Sequence, residues 1–111
     1  MTVTAIDPRQ AQSRLHEFTV IDVRTPGEYA GGHVPGALNI PLDQLDRALP
    51  DIRHAAERGE LLVVCASGAR SEKACAQLAA QGIRAATLAG GTGAWAAQGQ
   101  DRKSTRLNSS H

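Results

Sequence analysis

LLVVCASGARSEKACAQLAA, residues 61–80, holds the clearest structural pattern in the chain. Its first four residues form a continuous apolar run, which is typical of a strand that is covered on both faces. Over residues 70–81 apolar side chains recur at helical spacing, and Gly82 suits the position after a helix C-terminus. A buried strand, a tight loop and a helix in this order predict an α/β protein with this strand near the centre of its sheet.

The same alternation of strands and helices continues on both sides of this stretch. Asp7 before Pro8 and Thr25 before Pro26 each indicate a helix start, because a capping side chain followed by proline suits the first helical turn. We expect helices over residues 8–15, 28–29, 42–58 and 93–98, the third divided into two by Pro50, and strands over residues 18–23, 37–40, 61–64 and 83–88. This order predicts a parallel sheet with right-handed crossovers and helices on both faces.

The length of the chain fits one domain. With 111 residues, of which 41% are hydrophobic, the chain can form one core and has little surplus for a second. We assign residues 1–100 to this domain. The last segment, DRKSTRLNSSH at residues 101–111, is polar and aperiodic, and we interpret it as a non-native or disordered tail outside the fold.

Charge and composition argue against several function classes. The net charge is +1 and aromatic residues make up 3% of the chain, so we expect neither a basic face for nucleic acid nor an aromatic platform for its bases. The first residues lack a secretion signal and no run of about 18 apolar residues occurs, which predicts a cytoplasmic protein. Two cysteines make no disulfide framework and fit a reducing compartment, and the excess of arginine over lysine suggests a bacterial source. The pattern indicates no particular oligomeric state.

Cys65 follows the apolar strand and stands where chemistry is expected. Ligand sites in open α/β sheets lie at the carboxyl ends of strands, and a loop that enters a helix directs backbone N–H groups at an anion. Such surroundings lower the pKa of a thiol to roughly 3.5–7.5 and produce the nucleophilic thiolate. Gly68 permits a loop conformation forbidden to other residues, and Arg70 offers a fork of donors to an oxyanion. We therefore predict Cys65 as the catalytic nucleophile. The predicted anion-binding residues are Ala66, Ser67, Gly68, Ala69, Arg70 and Ser71.

Three segments resemble the rhodanese-like sulfurtransferase family. CASGARS, residues 65–71, is similar to the family pattern CxxGxR, and IDVRTPGEYAGGHVPGALNIP, residues 21–41, is similar to its second signature. LAGGTGAW, residues 88–95, resembles its closing segment. The resemblance spans about residues 4–99 and is to the single-domain bacterial type.

The resemblance implies a five-stranded, mostly parallel sheet with helices on both faces. It also implies that Cys65 takes sulfur from thiosulfate or a persulfide, carries it as a persulfide and passes it to a thiol or to cyanide. The family needs no metal and no organic cofactor. Asp22 and Arg24 are expected near the active loop, where they either brace it or extend the anion surface, whereas Glu28 and His33 are expected to have structural roles.

Cys75 and Trp95 have simpler interpretations. Cys75 lies on the core-facing stripe of its helix, and a separation of about 15 Å along that helix discourages a disulfide with Cys65. We therefore expect Cys75 to be buried rather than to act as a resolving cysteine. Trp95 is expected to pack as an anchor for the last helix, with a place in the pocket wall as the alternative.

Two further sets of residues carry weak signals. The histidines His16 and His54 have no metal-site spacing and are expected on helix surfaces. The glycine cluster Gly90, Gly91 and Gly93 lacks the GxGxxG spacing, so it is a weak nucleotide motif.

Other functions remain open at this point. Cysteine phosphatases and arsenate reductases also place a thiolate and an arginine around an oxyanion, but the phosphatase loop has five residues between them and only four separate Cys65 from Arg70. The domain is alternatively a sulfur-carrier or sensing module of a larger protein, and it meets a membrane only if a downstream segment has been lost. An inactive binding module is the third alternative, which the presence of Cys65 and Arg70 argues against.

Overall fold

The computed structural model describes residues 4–101, with side chains over residues 4–97. Five strands and five α-helices follow one another along this part of the chain. They are β1 Thr4–Ile6, α1 Pro8–Ser13, β2 Phe18–Asp22, α2 Pro26–Ala30, β3 Leu38–Asn39, α3 Leu49–Arg58, β4 Glu60–Val64, α4 Ala69–Ala80, β5 Ala85–Leu88 and α5 Gly91–Asp101. Two 3₁₀ turns at Leu15–Glu17 and Leu42–Gln44 complete the order. The predicted α/β fold is confirmed.

All strands belong to one parallel sheet in the order β1-β5-β4-β2-β3. The apolar strand β4 occupies the centre, as its sequence predicts. Its last residue, Val64, is in register with Asp22 at the end of β2, and Leu88 at the end of β5 is in register with Ile6. Because the strands are parallel, the chain leaves β2, β4 and β5 at the same edge, so the loops that follow them are neighbours there.

Helices cover both faces of the sheet, and the side chains of the central strands alternate between two cores. Ile21, Leu61 and Val63 point into one cluster with α3 and α4, whereas Val20, Leu62 and Val64 point into the other with α1 and α5. The continuous apolar run of β4 is therefore explained by burial on both faces.

The two predicted helix starts are capped as expected. The Asp7 side chain accepts a hydrogen bond from the Arg9 N–H at 2.8 Å, and Pro8 begins α1. At α2 the Thr25 hydroxyl accepts from the Glu28 N–H, and the Glu28 carboxylate accepts in return from the Thr25 N–H. This reciprocal pair is a capping box, and it ties Glu28 to the helix start.

Apart from shifts of a few residues in the bounds of other elements, the structure differs from the sequence prediction at three places. β1 was not predicted: it is a three-residue edge strand whose partner is β5, some eighty residues away along the chain. Pro50 does not divide a helix but lies in the first turn of α3. A proline is tolerated there because the N–H groups of the first turn have no partner within the helix. The segment before it contains the turn Leu42–Gln44 instead of a helix.

Two further expectations concern the C-terminal tail and the absence of a membrane-spanning segment. The proposed tail at residues 101–111 lies outside the described residues except for Asp101, which ends α5, and so remains a prediction. Between residues 4 and 101 no helix is long and apolar enough to cross a membrane.

Candidate active site

The loop after β4 is held at the centre of the sheet edge. The Val23 N–H donates to the Val64 carbonyl at 2.9 Å and so extends the pairing of β2 and β4 to the last residue of β4. Cys65 follows with 1% of its surface exposed, and α4 begins four residues later. Gly68 precedes α4 with φ +110°, a conformation that residues with a Cβ rarely adopt. This glycine turns the loop back toward the sulfur.

The Cys65 sulfur lies inside a set of hydrogen-bond donors. The Gly68 N–H donates to Sγ at 2.9 Å, and the Ser71 hydroxyl oxygen lies 3.6 Å from Sγ. Burial alone raises the pKa of the Cys65 thiol, but hydrogen bonds from the Ser71 hydroxyl and from the backbone of Ser71, Gly68 and Ser67 outweigh it and hold the pKa below its usual value. The loop therefore favours the thiolate.

A second segment holds the loop from the side of β5. The Thr92 N–H donates to the Cys65 carbonyl at 2.8 Å, and the Gly93 N–H donates to the Ala66 carbonyl at 3.2 Å. At Gly91, whose φ is +64°, a Cβ would lie 2.3 Å from the Cys65 carbonyl oxygen. Only glycine permits this close approach.

Sequence reasoning missed this role of the glycine cluster: it included the glycines in the segment LAGGTGAW that resembles the family and weighed them as a nucleotide motif, but it assigned them no contact with the Cys65 loop. A signal was present, because the cluster directly follows the strand that neighbours β4 and so reaches the same sheet edge.

Arg70 is held by Glu28. Its two terminal nitrogens donate to the two carboxylate oxygens of Glu28 at 2.8 and 3.0 Å. The hydrogen bond from Arg70, supported by that from the Thr25 N–H, lowers the pKa of Glu28 to about 2, and the same contact raises the pKa of Arg70. The pair links α2 to the start of α4. Arg70, predicted to bind an oxyanion, here binds a carboxylate of its own chain.

Asp22 and Arg24 form a second, buried ion pair. The Arg24 Nε donates to Asp22 at 3.0 and 3.1 Å, and its terminal nitrogen donates to Asp22 at 2.8 Å and to the Gly32 carbonyl at 2.7 Å. Asn39 donates from its amide to the carbonyls of both residues. With Asp22 fully buried and Arg24 6% exposed, these contacts fit the bracing role better than an anion surface.

Comparison with known proteins agrees with this geometry. The sequence model of the rhodanese-like domain family matches residues 7–98 of the chain. The chain belongs to the rhodanese-like domain family. A protein of Allochromatium vinosum named sulfurtransferase is 37% identical over 101 residues, which cover 87% of this chain and 92% of that protein. The thiosulfate sulfurtransferase GlpE of Ectopseudomonas mendocina is 37% identical over 95 residues, which cover 83% of this chain and 84% of its own.

A solved structure shows the same fold. The rhodanese-related protein of Thermoplasma volcanium superposes with a TM-score of 0.82 at 24% identity, covering 96% of this chain and 99% of its own. At that identity the likeness concerns the fold, and it agrees with the five-stranded sheet that the sequence resemblance implies.

The remaining loop residues of this rhodanese-like domain divide into an outer and an inner set. Ala66, Ser67 and Ala69 are exposed, and we call this exposed side of the loop its mouth. Gly68 and Ser71 are buried, so the Ser71 hydroxyl is within reach of the sulfur from below and does not face the mouth. The residues predicted for the site are thus brought together, at different depths.

The residues given structural roles lie as expected. Cys75 is 3% exposed and Trp95 is 2% exposed, each within one of the two cores. His33 is buried and stacked on Tyr29, with its ring Nδ1 2.9 Å from the Tyr29 carbonyl oxygen. Among the described residues, no group of three or more His, Cys, Asp or Glu side chains is placed to hold a metal ion.

Proposed function

We propose that this rhodanese-like domain is a sulfurtransferase that carries sulfane sulfur as a persulfide on Cys65. The observation that carries the proposal is the 2.9 Å hydrogen bond from the Gly68 N–H to the sulfur, in a loop whose outer residues are exposed. A thiolate is the nucleophilic form of cysteine, and the donors around Sγ favour that form. The names of the two relatives support the same reaction class.

In the first half-reaction the Cys65 thiolate attacks the outer sulfur of thiosulfate. The new bond joins Sγ to that sulfur, the S–S bond of thiosulfate breaks, and sulfite leaves with the electron pair of that bond. With a persulfide as donor the same attack releases a thiolate. In both cases the product is a Cys65 persulfide, and no proton needs to be taken from the donor by a base.

In the second half-reaction an acceptor thiolate or cyanide attacks the outer sulfur of the Cys65 persulfide. The S–S bond breaks and returns its electron pair to Sγ, which restores the thiolate. The acceptor leaves as a persulfide or as thiocyanate. The donors that favour the thiolate also make Sγ a better leaving group, because both roles require a negative charge on this sulfur.

Arg70 takes part only after it exchanges its partner. Its side chain is 37% exposed and that of Glu28 is 38% exposed, so the pair lies at the surface and is weakly bound. A sulfonate at the mouth of the loop competes with the Glu28 carboxylate for the same fork of donors. We propose that Arg70 binds thiosulfate in this way.

The test is mass spectrometry of the purified protein before and after treatment with thiosulfate, without reductant. We expect a gain of one sulfur atom that cyanide removes. Trypsin cuts after Arg58, Arg70, Lys73 and Arg84, so Cys65 and Cys75 fall on separate peptides, residues 59–70 and 74–84. The added sulfur should lie on the first peptide and be absent from Cys65→Ser. No adduct from thiosulfate or from glutathione persulfide would overturn the proposal and favour an oxyanion-binding loop that transfers no sulfur.

A further inference from the structure

A pair of buried hydroxyl groups lies beside the nucleophile. Ser71, in the first turn of α4, has no exposed surface, and Thr87, on β5, is 2% exposed. Their hydroxyl oxygens are hydrogen-bonded to each other. The hydrogen bonds of the described residues join Thr87 to Ser71 and Ser71 to Cys65, so Thr87 reaches the sulfur through Ser71. Sequence reasoning did not mark Thr87, because it lies inside an apolar strand.

The Ser71 hydroxyl has one proton and three neighbours. These are the Cys65 Sγ at 3.6 Å, the Gly68 carbonyl oxygen at 3.0 Å and the Thr87 hydroxyl. While Cys65 is a thiol, its S–H donates to Ser71, which donates in turn to the Gly68 carbonyl. Once Cys65 is a thiolate, the sulfur can only accept, and the Ser71 O–H turns toward it.

Either hydroxyl can donate in this pair, and Thr87 is the donor whenever the Ser71 proton points to the Gly68 carbonyl or to the sulfur. The Gly68 carbonyl also accepts from the Glu72 N–H at 3.0 Å, so it keeps a donor when the Ser71 O–H turns to the thiolate. A hydrogen bond received from Thr87 polarises the Ser71 O–H and makes it a stronger donor. The effect on the sulfur is largest when the sulfur is negatively charged.

We infer that Thr87 is a positioning residue that directs the Ser71 hydroxyl to the Cys65 sulfur and so favours the thiolate. The inference rests on the proposed role of Cys65 as nucleophile. A purely structural role for Thr87 would only give a buried hydroxyl its partner and would leave the titration of Cys65 unchanged.

The test compares Thr87→Val, which removes the hydroxyl and keeps the shape, with Thr87→Ser, which keeps the hydroxyl. Thr19→Val is the matched control, because Thr19 is a partly buried threonine on β2 whose hydroxyl donates to the Ala55 carbonyl at 3.4 Å. The measurement is the rate of iodoacetamide alkylation of the peptide of residues 59–70 as a function of pH. We expect Thr87→Val to move the midpoint upward by about half to one pH unit. Thr87→Ser should move it by less than half as much, and Thr19→Val should leave it unchanged.

A double-mutant cycle with Ser71→Ala tests the route of the effect. When Ser71 is alanine, Thr87→Val should add no further shift. An equal shift in that background, no shift at all in a folded Thr87→Val, or a downward shift would each overturn the inference. A downward shift would mean that Thr87 accepts the Ser71 proton and competes with the sulfur.

Folding and function are kept apart in this design. Circular dichroism checks each variant, and Thr87→Ala replaces Thr87→Val in the cycle if the valine variant does not fold. Alkylation needs no sulfur transfer. An upward shift in a protein that forms no persulfide would therefore support the role of Thr87 and contradict the proposed function alone.

Discussion

Cys65 and Cys75 lie in the same hydrophobic core and are both almost completely buried, yet their thiols differ in chemistry. The pKa of Cys65 is held below its usual value, whereas that of Cys75 is raised to about 11. Burial raises the pKa of both. The difference comes from hydrogen-bond donors: Cys65 receives hydrogen bonds from the Ser71 hydroxyl and from the backbone of its loop, whereas burial and the nearby Glu72 charge both act to raise the pKa of Cys75. Burial therefore does not distinguish a reactive from an inert cysteine here, and the donors do.

The largest expected effect is on sulfur transfer itself. Cys65→Ser should lower turnover from thiosulfate to cyanide by at least about a thousandfold, because it removes the nucleophile. Cys75→Ala should keep most of the activity, since Cys75 only fills core volume. Steady-state kinetics of both variants provide the measurement. Comparable losses would break the contrast between the two cysteines and assign Cys75 a part in the reaction.

The positions of Cys65 at the end of β4 and of Cys75 within α4 could be predicted from the sequence, because the signals for this strand, loop and helix are local. The apolar run of β4, the glycine before α4 and the helical spacing around Cys75 all act within about twenty residues, and the structure has each of them at the predicted place. Capping at Thr25 was predicted for the same reason.

What was missed depends on contacts between distant segments. β1 exists only by pairing with β5, and its three residues carry no pattern of their own. Arg70 and Glu28 were assigned separate roles, because nothing local indicates that residues so far apart form an ion pair. Thr87 has no signal in an apolar strand until Ser71 lies next to it.

The next largest effect is expected from Gly91→Ala, which tests whether the shape of the Cys65 loop causes the difference in pKa between the two cysteines. The added Cβ would lie 2.3 Å from the Cys65 carbonyl and 2.6 Å from that of Ala66, at a positive φ. We expect a loss of at least about 2 kcal/mol in the free energy of unfolding. In the protein that remains folded, the alkylation midpoint of Cys65 should rise toward that of Cys75.

Gly27→Ala is the control for this variant, because a Cβ there meets no atom within 4 Å. Urea unfolding and alkylation of both glycine variants give the comparison. A Gly91→Ala protein with unchanged stability and an unchanged midpoint would show that the close approach at Gly91 does not maintain the loop.

A smaller effect is expected from Arg70→Ala, which separates binding of the donor from reactivity of the thiolate. If Arg70 binds the sulfonate, the KM for thiosulfate should rise about tenfold, as expected for a charge-assisted hydrogen bond. The KM for a glutathione persulfide donor, which has no sulfonate, should change less. Arg84→Ala is the control, because Arg84 is exposed at the amino end of β5, the opposite end of the sheet. Equal changes for both donors would remove Arg70 from sulfonate binding.

The smallest effect concerns the stability of the protein in acid, to which the Glu28–Arg70 ion pair contributes by linking α2 to the start of α4. The pKa of Glu28 is about 2 in the folded protein and 4.5 as its ordinary value, so the folded state binds fewer protons between these values. The stabilisation by the Glu28–Arg70 pair is therefore complete above about pH 4.5 and is lost as the pH falls toward 2. Since both side chains are more than one third exposed, solvent screening limits the contribution to about 1 kcal/mol or less.

Glu28→Gln measures this contribution, because glutamine also completes a capping box and only the charge is removed. Thermal unfolding should show the variant a few degrees less stable than the wild type at pH 6, with most of the difference lost as the pH falls to about 2. Glu57→Gln, at a side chain 78% exposed, is the control. A difference in stability that persists unchanged at low pH would assign the effect of Glu28 to packing. The charge of the Glu28–Arg70 pair would then not help to hold the start of α4 beside Cys65.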